Sequence, residues 1–298
     1  KELTGIEKFR KVATPFCPEG YLVAADDGEK GEIGGKACRI LMKNLWLARL
    51  ARPELMKAIN DLATHVQCWS RNDDKRLHRL ACYMDTTEDF RLSGKVGDAA
   101  DKLKMLLFVD ADFAGNYDTS RSTSGGWLVL AGPNTWFPLM WLSRRQGATA
   151  RSSTEAEMIS LATSLFQEAY PILDMWDVLL GKPIDLIIME DNQATIKIDR
   201  KGYSSKLRHV LRHQKVDIGS VKEALDKDNI TIEYVNTEFQ VADLFTKGLK
   251  PEKWQHAMDL IGMRCGEVAL DSEVKVAAAL VEVAPATSVT CLLYTSDA

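Results

Sequence analysis

The 298-residue chain predicts a mixed α/β fold: a five-stranded sheet flanked by helices and preceded by a small helical segment. Three observations lead there. Between residues 38 and 90 apolar residues recur at three- and four-residue spacing, the period of buried helix faces. From about residue 93 short runs rich in Leu, Val, Phe and Trp take over, bounded by turn residues. These runs then alternate with helical stretches in the order β-β-β-α-β-α-α-β-α, which suits a mixed sheet covered by helices.

Residues 1–37 alternate charge, Gly and Pro, as in CPEGYLVAADDGEKGEIGGK, and read as an irregular lead-in. Residues 38–95 form the helical unit. Leu41, Leu45 and Ala48 mark its first helix, and Leu55, Ala58, Ile59 and Leu62 its second, which Pro53 would open at the first position. The third, DDKRLHRLACYM, sets Leu77, Leu80 and Met84 against a basic side. SGKVGDAADK is a turn-rich linker, and a second unit covers residues 104–265.

In that unit LLFVDADF reads as a central strand. GGWLVLAG and TWFPLMWLS form a hairpin across Gly132-Pro133-Asn134. STEAEMISLATSLFQEAYPILDMWDVLL is a helix that Ser153 or Thr154 caps, with Glu157 at capping-box spacing from Thr154. DLIIME is a second buried strand, followed by a short helix from Asn192. Residues 206–226 predict one basic helix, TIEYV a further strand and TEFQVADLFTKGL a closing helix. Residues 266–298, Ala- and Val-rich and then TCLLYTSDA, read as a loosely structured or foreign tail.

With 46% hydrophobic and 27% charged residues the chain is of globular rather than disordered type. No apolar run approaches the roughly 18 to 20 residues of a membrane span, so no membrane association is expected. KELTGIEKFRKVATPF lacks the apolar core of a secretory signal, and the missing initiator Met suggests a fragment. A net charge of -4 excludes a chain that is basic throughout, but not a local basic track. Cysteines 17, 38, 68, 82, 265 and 291 form no C-x-x-C pair and no zinc-finger spacing, which favours a reduced, intracellular protein.

Four acids stand where an isolated carboxylate is hard to explain. Asp110 follows LLFV and Asp191 follows LIIME, each at the end of a buried strand. Glu157 lies near the start of a helix, on the side of Ala156, Ser160 and Leu161, and Asp243 sits between Val241-Ala242 and Leu244. Buried carboxylates are costly unless paired, hydrogen-bonded or bound to a cation. Converging ones raise one another's pKa unless a metal neutralises them. The carboxyl ends of strands are where ligands of α/β sheets bind. Hard oxygen donors without Cys or His point to magnesium or manganese rather than zinc. Each acid also has a purely structural reading: Asp191 as a helix cap, Glu157 as a capping-box acid, Asp110 as a turn residue beside Asp112, Asp243 as a surface acid. The order of strand-end Asp, helix Glu, strand-end Asp and helix Asp is more specific than any one of them.

That order, with VDADFAGN (109–116), RSTSGGWL (121–128), WLSRRQGATARSSTEAEMISL (141–161), MEDNQATI (189–196), LRHVLRH (207–213) and YVNTEFQVADLFTKGL (234–249), resembles the ribonuclease H domain that closes a copia-type LTR retrotransposon Pol polyprotein. Upstream, LMKNLWLARLARPELMKAINDLATHV and the helix ending in ACYM are similar to the tail of the reverse transcriptase and its connection to that domain. The polymerase signature of a tyrosine followed by paired aspartates is missing, and Asp26-Asp27 lies in a polar, Gly-rich stretch, so no polymerase activity is expected.

The resemblance implies a ribonuclease H-like fold and a magnesium-dependent endoribonuclease that cuts the RNA strand of RNA–DNA hybrids during reverse transcription. It implies two magnesium ions, with manganese as a substitute, held by Asp110, Glu157, Asp191 and Asp243. Two cations roughly 3.5 to 4 Å apart can activate a water on one side of a phosphate and stabilise the leaving oxygen on the other. Glu157 is preferred over Glu155. Asp112 rivals Asp110, since strand alternation puts both on one face. Cellular members supply a His from the loop before the last Asp; VNTEFQVAD has none, and His209 and His213 stay open as substitutes or as structural residues. The implied partners are the hybrid and the rest of the polyprotein, and the implied location is a cytoplasmic virus-like particle. A catalytically inactive nucleic-acid-binding or scaffold remnant is the alternative, which the presence of all four acids disfavours.

Hybrid recognition needs phosphate contacts for affinity and 2′-hydroxyl contacts for RNA identity. Residues 197–227 carry nine Lys or Arg against four acids in a chain that is acidic overall, so a backbone-gripping track or a solvated face lies there. Arg208, Arg212 and Lys215 predict one basic helix face. Lys206, Arg208, Arg212, Arg144, Arg145, Ser152 and Ser153 are the candidates for nucleic-acid contacts, whereas Trp127, Trp136 and Trp141 read as core.

Overall fold

Three amphipathic helices come first in the computed structural model, which describes residues 9–115 and 119–266. The first eight residues of the lead-in, Asn116 of VDADFAGN and the tail from 267 onward lie outside the described residues. Helix α1 (Gly34–Leu50) starts ahead of residue 38 and buries Ala37, Ile40, Leu41 and Ala48. Pro53 opens a 3-10 turn that leads into α2 (Met56–Ala63). At the start of α3 (Arg71–Thr86) the Ser70 hydroxyl accepts from the Asp73 amide, while the Asp73 carboxylate accepts from the Ser70 amide at 2.9 Å. The lead-in is not wholly irregular: a 3-10 turn at Ala24–Asp27 is held to α3 through Asn72.

A short strand β1 (Phe90–Leu92) follows, then β2 (Lys104–Asp112), β3 (Thr123–Gly132) and β4 (Thr135–Arg145), the last two joined across Pro133-Asn134. Helix α4 (Ser153–Thr163) runs through a π-helical turn, Ser164–Ala169, into α5 (Tyr170–Leu180). Its cap is Ser152 rather than Ser153 or Thr154: the Ser152 hydroxyl accepts from the Glu155 amide at 3.1 Å. Strand β5 (Leu186–Glu190) leads to α6 (Gln193–Lys201), whose first amides bond the Asn192 side chain, so Asp191 is not its cap.

The single basic helix expected over 206–226 is two helices, α7 (Val210–Gln214) and α8 (Ile218–Leu225). Lys215 adopts φ 58, which stops the hydrogen-bond ladder, and Asp217 caps a new start. Arg208 precedes α7 and Lys215 ends it, so they do not share one helix face with Arg212. Strand β6 (Ile230–Tyr234) follows. The expected closing helix is a 3-10 turn, Thr237–Phe239, and a four-residue α9 (Asp243–Thr246); Pro251 then opens α10 (Pro251–Leu260). Strand β7 (Met263–Cys265) pairs with β1, a two-stranded sheet too short for apolar alternation to announce.

The five main strands form the expected mixed sheet in the order β4-β3-β2-β5-β6, with β2 antiparallel to β3 and parallel to β5. Buried on both faces, β2 and β5 read as continuous apolar runs rather than alternating ones. One face (Leu106, Phe108, Trp127, Val129, Ile187, Met189) shares a single core with α1–α3, α9 and α10. The other (Met105, Leu107, Val109, Leu128, Leu186, Ile188) packs under α4–α5 and α8. Trp127 is fully buried and stacks between Trp141 and Phe245, at 5.7 Å from each ring centroid. The helical segment is fastened to the sheet by polar contacts too, since the Trp141 indole donates to the Ala48 carbonyl at 2.8 Å.

Candidate metal centre

Asp110 lies two residues before the end of β2, opposite Gly125 of β3. The Ser160 hydroxyl lies 2.7 Å from the Asp110 carbonyl and 3.1 Å from that of Gly125, which ties α4 to both strands at this level. The Asp110 side chain is buried, and its two oxygens have separate partners: Oδ2 accepts from the Thr246 hydroxyl, and Oδ1 from Lys247 Nζ at 3.2 Å. Gly125 permits that arrangement. A Cβ there would lie 2.5 Å from Thr246 Cγ2 and 2.9 Å from the Ala242 carbonyl, so only glycine lets α9 rest this close to β3.

Glu157 projects from α4 toward Asp110, buried, with Oε2 lacking a hydrogen-bond partner. Burial, then the charges of Asp110, Glu190 and Asp191, push its pKa up to about 10. Asp191 stands one residue past β5 and accepts from the Thr237 hydroxyl at 3.0 Å; burial and Asp110 raise its pKa too. One oxygen each from Asp110, Glu157 and Asp191 lies within 4.8 Å of the others.

Asp243, the first residue of α9, stands outside that trio. Its Oδ1 pairs with Lys247 Nζ at 2.6 Å, and burial together with Asp110 pushes its pKa up to about 6. Lys247 thereby spans Asp243 and Asp110. Burial acts to lower the lysine pKa, but the two carboxylates more than offset it and the net shift is upward. Asp112, the rival of Asp110, is also outside the trio: its carboxylate folds back on Gly115. Glu155, the rival of Glu157, accepts instead from the Arg151 amide at 2.9 Å and lies 3.0 Å from His209 Nε2.

Three residues here escape a reading of the sequence. Glu190 reads as part of a strand, yet its carboxyl is fully buried, with Oε1 accepting from the Asn192 amide at 2.9 Å and Oε2 unpartnered. Burial raises its pKa well above the usual range. An acid ending a buried strand is the available signal. Thr246 and Lys247 are hidden in the TKGL end of a motif; the four-residue spacing of Asp243 and Lys247 is the one hint of their pairing.

The donor set consists of hard carboxylate oxygens, one of them, Glu157 Oε2, buried without a partner, and this suits a divalent cation. Uncompensated, such a cluster of buried carboxylates is costly.

Of the basic candidates, Arg144, Lys206, Arg208 and Arg212 are exposed and Arg145 is half-buried. Arg144 donates to Gln167 at 3.0 Å, and with Arg145, His213 and Lys215 it lines an open cleft of about 740 Å³ across α4. Lys206, Arg208 and Arg212 are exposed, and Arg208 donates to the Tyr203 hydroxyl at 2.9 Å with its guanidinium over that ring. Ser152 spends its hydroxyl on the α4 cap, while Ser153 is exposed. The five cysteines among the described residues are free, and no helix among those residues is long and apolar enough to cross a membrane.

No protein-family model matches the chain. It is similar to the retrovirus-related Pol polyprotein from transposon RE2 of Arabidopsis thaliana, 27% identical over 227 residues that cover 76% of this chain and 15% of the polyprotein. The Pol polyprotein from transposon TNT 1-94 of Nicotiana tabacum is 26% identical over 157 residues, 52% of this chain and 11% of its own length. The transposon Ty1-JR1 Gag-Pol polyprotein of Saccharomyces cerevisiae is 24% identical over 264 residues, 84% of this chain and 14% of its own length. The homologues are thus copia-type retrotransposon Pol polyproteins, and the chain spans about 15% of the length of those it matches. Among solved structures, a ribonuclease H1 isolated from compost is 20% identical with a TM-score of 0.34, covering 48% of this chain and 92% of its own. Ribonuclease H1 from Halobacterium salinarum is 17% identical with a TM-score of 0.34, covering 48% and 94%.

Proposed function

We propose that the chain is the ribonuclease H part of a copia-type Pol polyprotein, a magnesium-dependent endoribonuclease that cuts the RNA strand of RNA–DNA hybrids. The observation that carries the reading is the trio Asp110, Glu157 and Asp191, brought from a strand end, a helix and a second strand end to within 4.8 Å of one another. Magnesium, or manganese in its place, would be held by these three with Asp243 as the fourth donor for a second ion, and would supply Lewis-acid polarisation of the scissile phosphate.

The protein's own residues do the remaining work. Ser160 and Thr246 fix the backbone and side chain of Asp110, so its carboxylate does not have to be ordered when substrate arrives. The buried flank of Glu157 and Glu190 keeps bulk water from one side of the centre. Arg144, Lys206, Arg208 and Arg212, exposed, and the half-buried Arg145 offer charge for a sugar–phosphate backbone without reading bases. Ser152 and Ser153, at the start of the helix that carries Glu157, are suited to the strand bearing 2′-hydroxyls. The rest of the polyprotein is the expected partner, and a cytoplasmic virus-like particle the expected setting.

The test is cleavage of an RNA–DNA hybrid and a matched DNA duplex by the purified chain, with magnesium and with EDTA. Hybrid-selective, magnesium-dependent cutting is expected. Asp191→Asn should lose it while folding normally, because an amide lacks the anionic oxygen that a cation requires. Undiminished cleavage by that variant would leave a binding or scaffold role as the better account. Equal cutting of the DNA duplex by the wild-type chain would leave a generic nuclease.

A further inference from the structure

The acid centre has two unequal halves. Asp110, Glu157 and Asp191 face one another with no cationic side chain hydrogen-bonded to Glu157 or Asp191 among the described residues, while Asp110 and Asp243 are bridged by an ammonium group, Lys247 Nζ. Asp110 belongs to both halves, with Thr246 holding its Oδ2 and Lys247 reaching its Oδ1. The backbone that carries Lys247 is pinned, because Thr246 is anchored on Asp110 and the close approach at Gly125 leaves α9 no room to slide. The lysine side chain is not pinned in the same way. It is 37% exposed, and its long stem can swing the charge outward while the main chain stays put.

We propose that Lys247 is the resident cation of the Asp110–Asp243 half: a first divalent ion is taken up at Asp110, Glu157 and Asp191 with the ammonium in place, and a second binds only as the ammonium leaves Asp243. The inference rests on the metal reading given above and adds an order of events to it. Two cations cannot share one carboxylate pair at hydrogen-bond distance without strong repulsion, so ammonium and metal compete for Asp243. Once displaced, the ammonium has exposed space at the mouth of the centre, where an incoming phosphate backbone supplies the negative charge that it gave up. Substrate and second ion would then bind cooperatively, with Lys247 as a positioning residue.

The experiment is a manganese titration of the full chain without nucleic acid, followed by calorimetry and by the spin-resonance signal of free Mn²⁺. Wild type should show one tight site and a second at least about tenfold weaker, the size of effect one nearby charge commonly exerts. Lys247→Met removes the charge and keeps the stem; its second site should tighten by about tenfold or more, with the first little changed. Lys247→Arg keeps the charge and should retain the wild-type pattern. In EDTA the Met variant should melt below wild type, since Asp110 and Asp243 lose their counter-ion, and manganese should close that gap. Two equal sites in wild type, or a second site unchanged or weaker in Lys247→Met, would overturn the inference even with hybrid cleavage intact. The wild-type measurement decides the matter on its own should the variant fail to fold. No manganese uptake at all would sink the nuclease reading and this inference with it.

Discussion

Glu155 Oε2 lies 3.0 Å from His209 Nε2, and this contact gives two glutamates on one turn of α4 opposite duties. Glu157 turns to the acid centre, whereas Glu155 fastens the segment entering α7 to the start of α4 and also accepts from the Arg151 amide. His209, left open by the sequence, is thus engaged with Glu155, not with the trio.

Substitution should therefore separate the two. Glu157→Gln is expected to abolish hybrid cleavage and to stabilise the protein in EDTA, because Gln is neutral without the proton that burial and the neighbouring carboxylates force onto Glu157 in the folded state. Glu155→Gln should keep the turnover rate, weaken hybrid binding, and cost about 1 to 2 kcal/mol of stability through the loss of a charge-assisted hydrogen bond. Single-turnover rates and KM on the hybrid, with urea unfolding, check both. Equal loss of turnover in the two variants would contradict this division.

Asp199 on α6 makes a second electrostatic prediction, one that needs no metal. Its carboxyl is fully buried with neither oxygen hydrogen-bonded, and burial pushes its pKa up to about 7 from an ordinary 3.8. An acid whose folded pKa is raised contributes stability that is complete below the unfolded value and lost as pH rises through the folded one. Wild type should lose stability between pH 4 and 7 or so, by up to about 4 kcal/mol from this group. Asp199→Asn cannot ionise, so the gap between variant and wild type should grow in the variant's favour up to about pH 8. Urea unfolding in EDTA at several pH values measures that gap, and a constant gap would show that Asp199 does not titrate in this range.

Gly125 and Gly126 stand side by side in β3 with different neighbours. A methyl group at Gly125 meets Thr246 and the α9 backbone, while one at Gly126 meets the Ser164 hydroxyl at 2.7 Å. Both Gly→Ala changes should cost about 1 to 3 kcal/mol by overpacking. Only Gly125→Ala should also weaken manganese binding, since it displaces the residue that holds Asp110. Melting curves with and without manganese distinguish the two.

The exposed arginines predict a salt effect. The Arg208→Glu/Arg212→Glu double variant should bind hybrid more weakly whatever its sequence. The slope of log affinity against log salt should flatten by about 0.9 for each phosphate that the variant no longer neutralises. Cleavage positions should not move. A shift of the cut site would mean that these residues set register rather than affinity.

The sheet was legible because apolar runs ending in an acid are a local pattern, and so were Asp110 near the end of β2 and Asp191 just past β5. The buried tryptophans were legible for the same reason. Local spacing could not choose between Asp110 and Asp112, which share a strand face. In the structure it is Asp110 that stands in the acid trio, and Thr246 closes on it from 136 residues away. Spacing also suggested one basic helix over 206–226, and it failed there because the left-handed conformation of Lys215 leaves no mark on residue periodicity. The pairing of β1 with β7 and the bridge from Lys247 to Asp110 were equally out of reach. Periodicity records which face of an element is apolar, and that much the sequence alone determined. Which polar groups meet depends on how closely two elements approach, and here that distance was decided only when α9 came to rest on the bare backbone of Gly125.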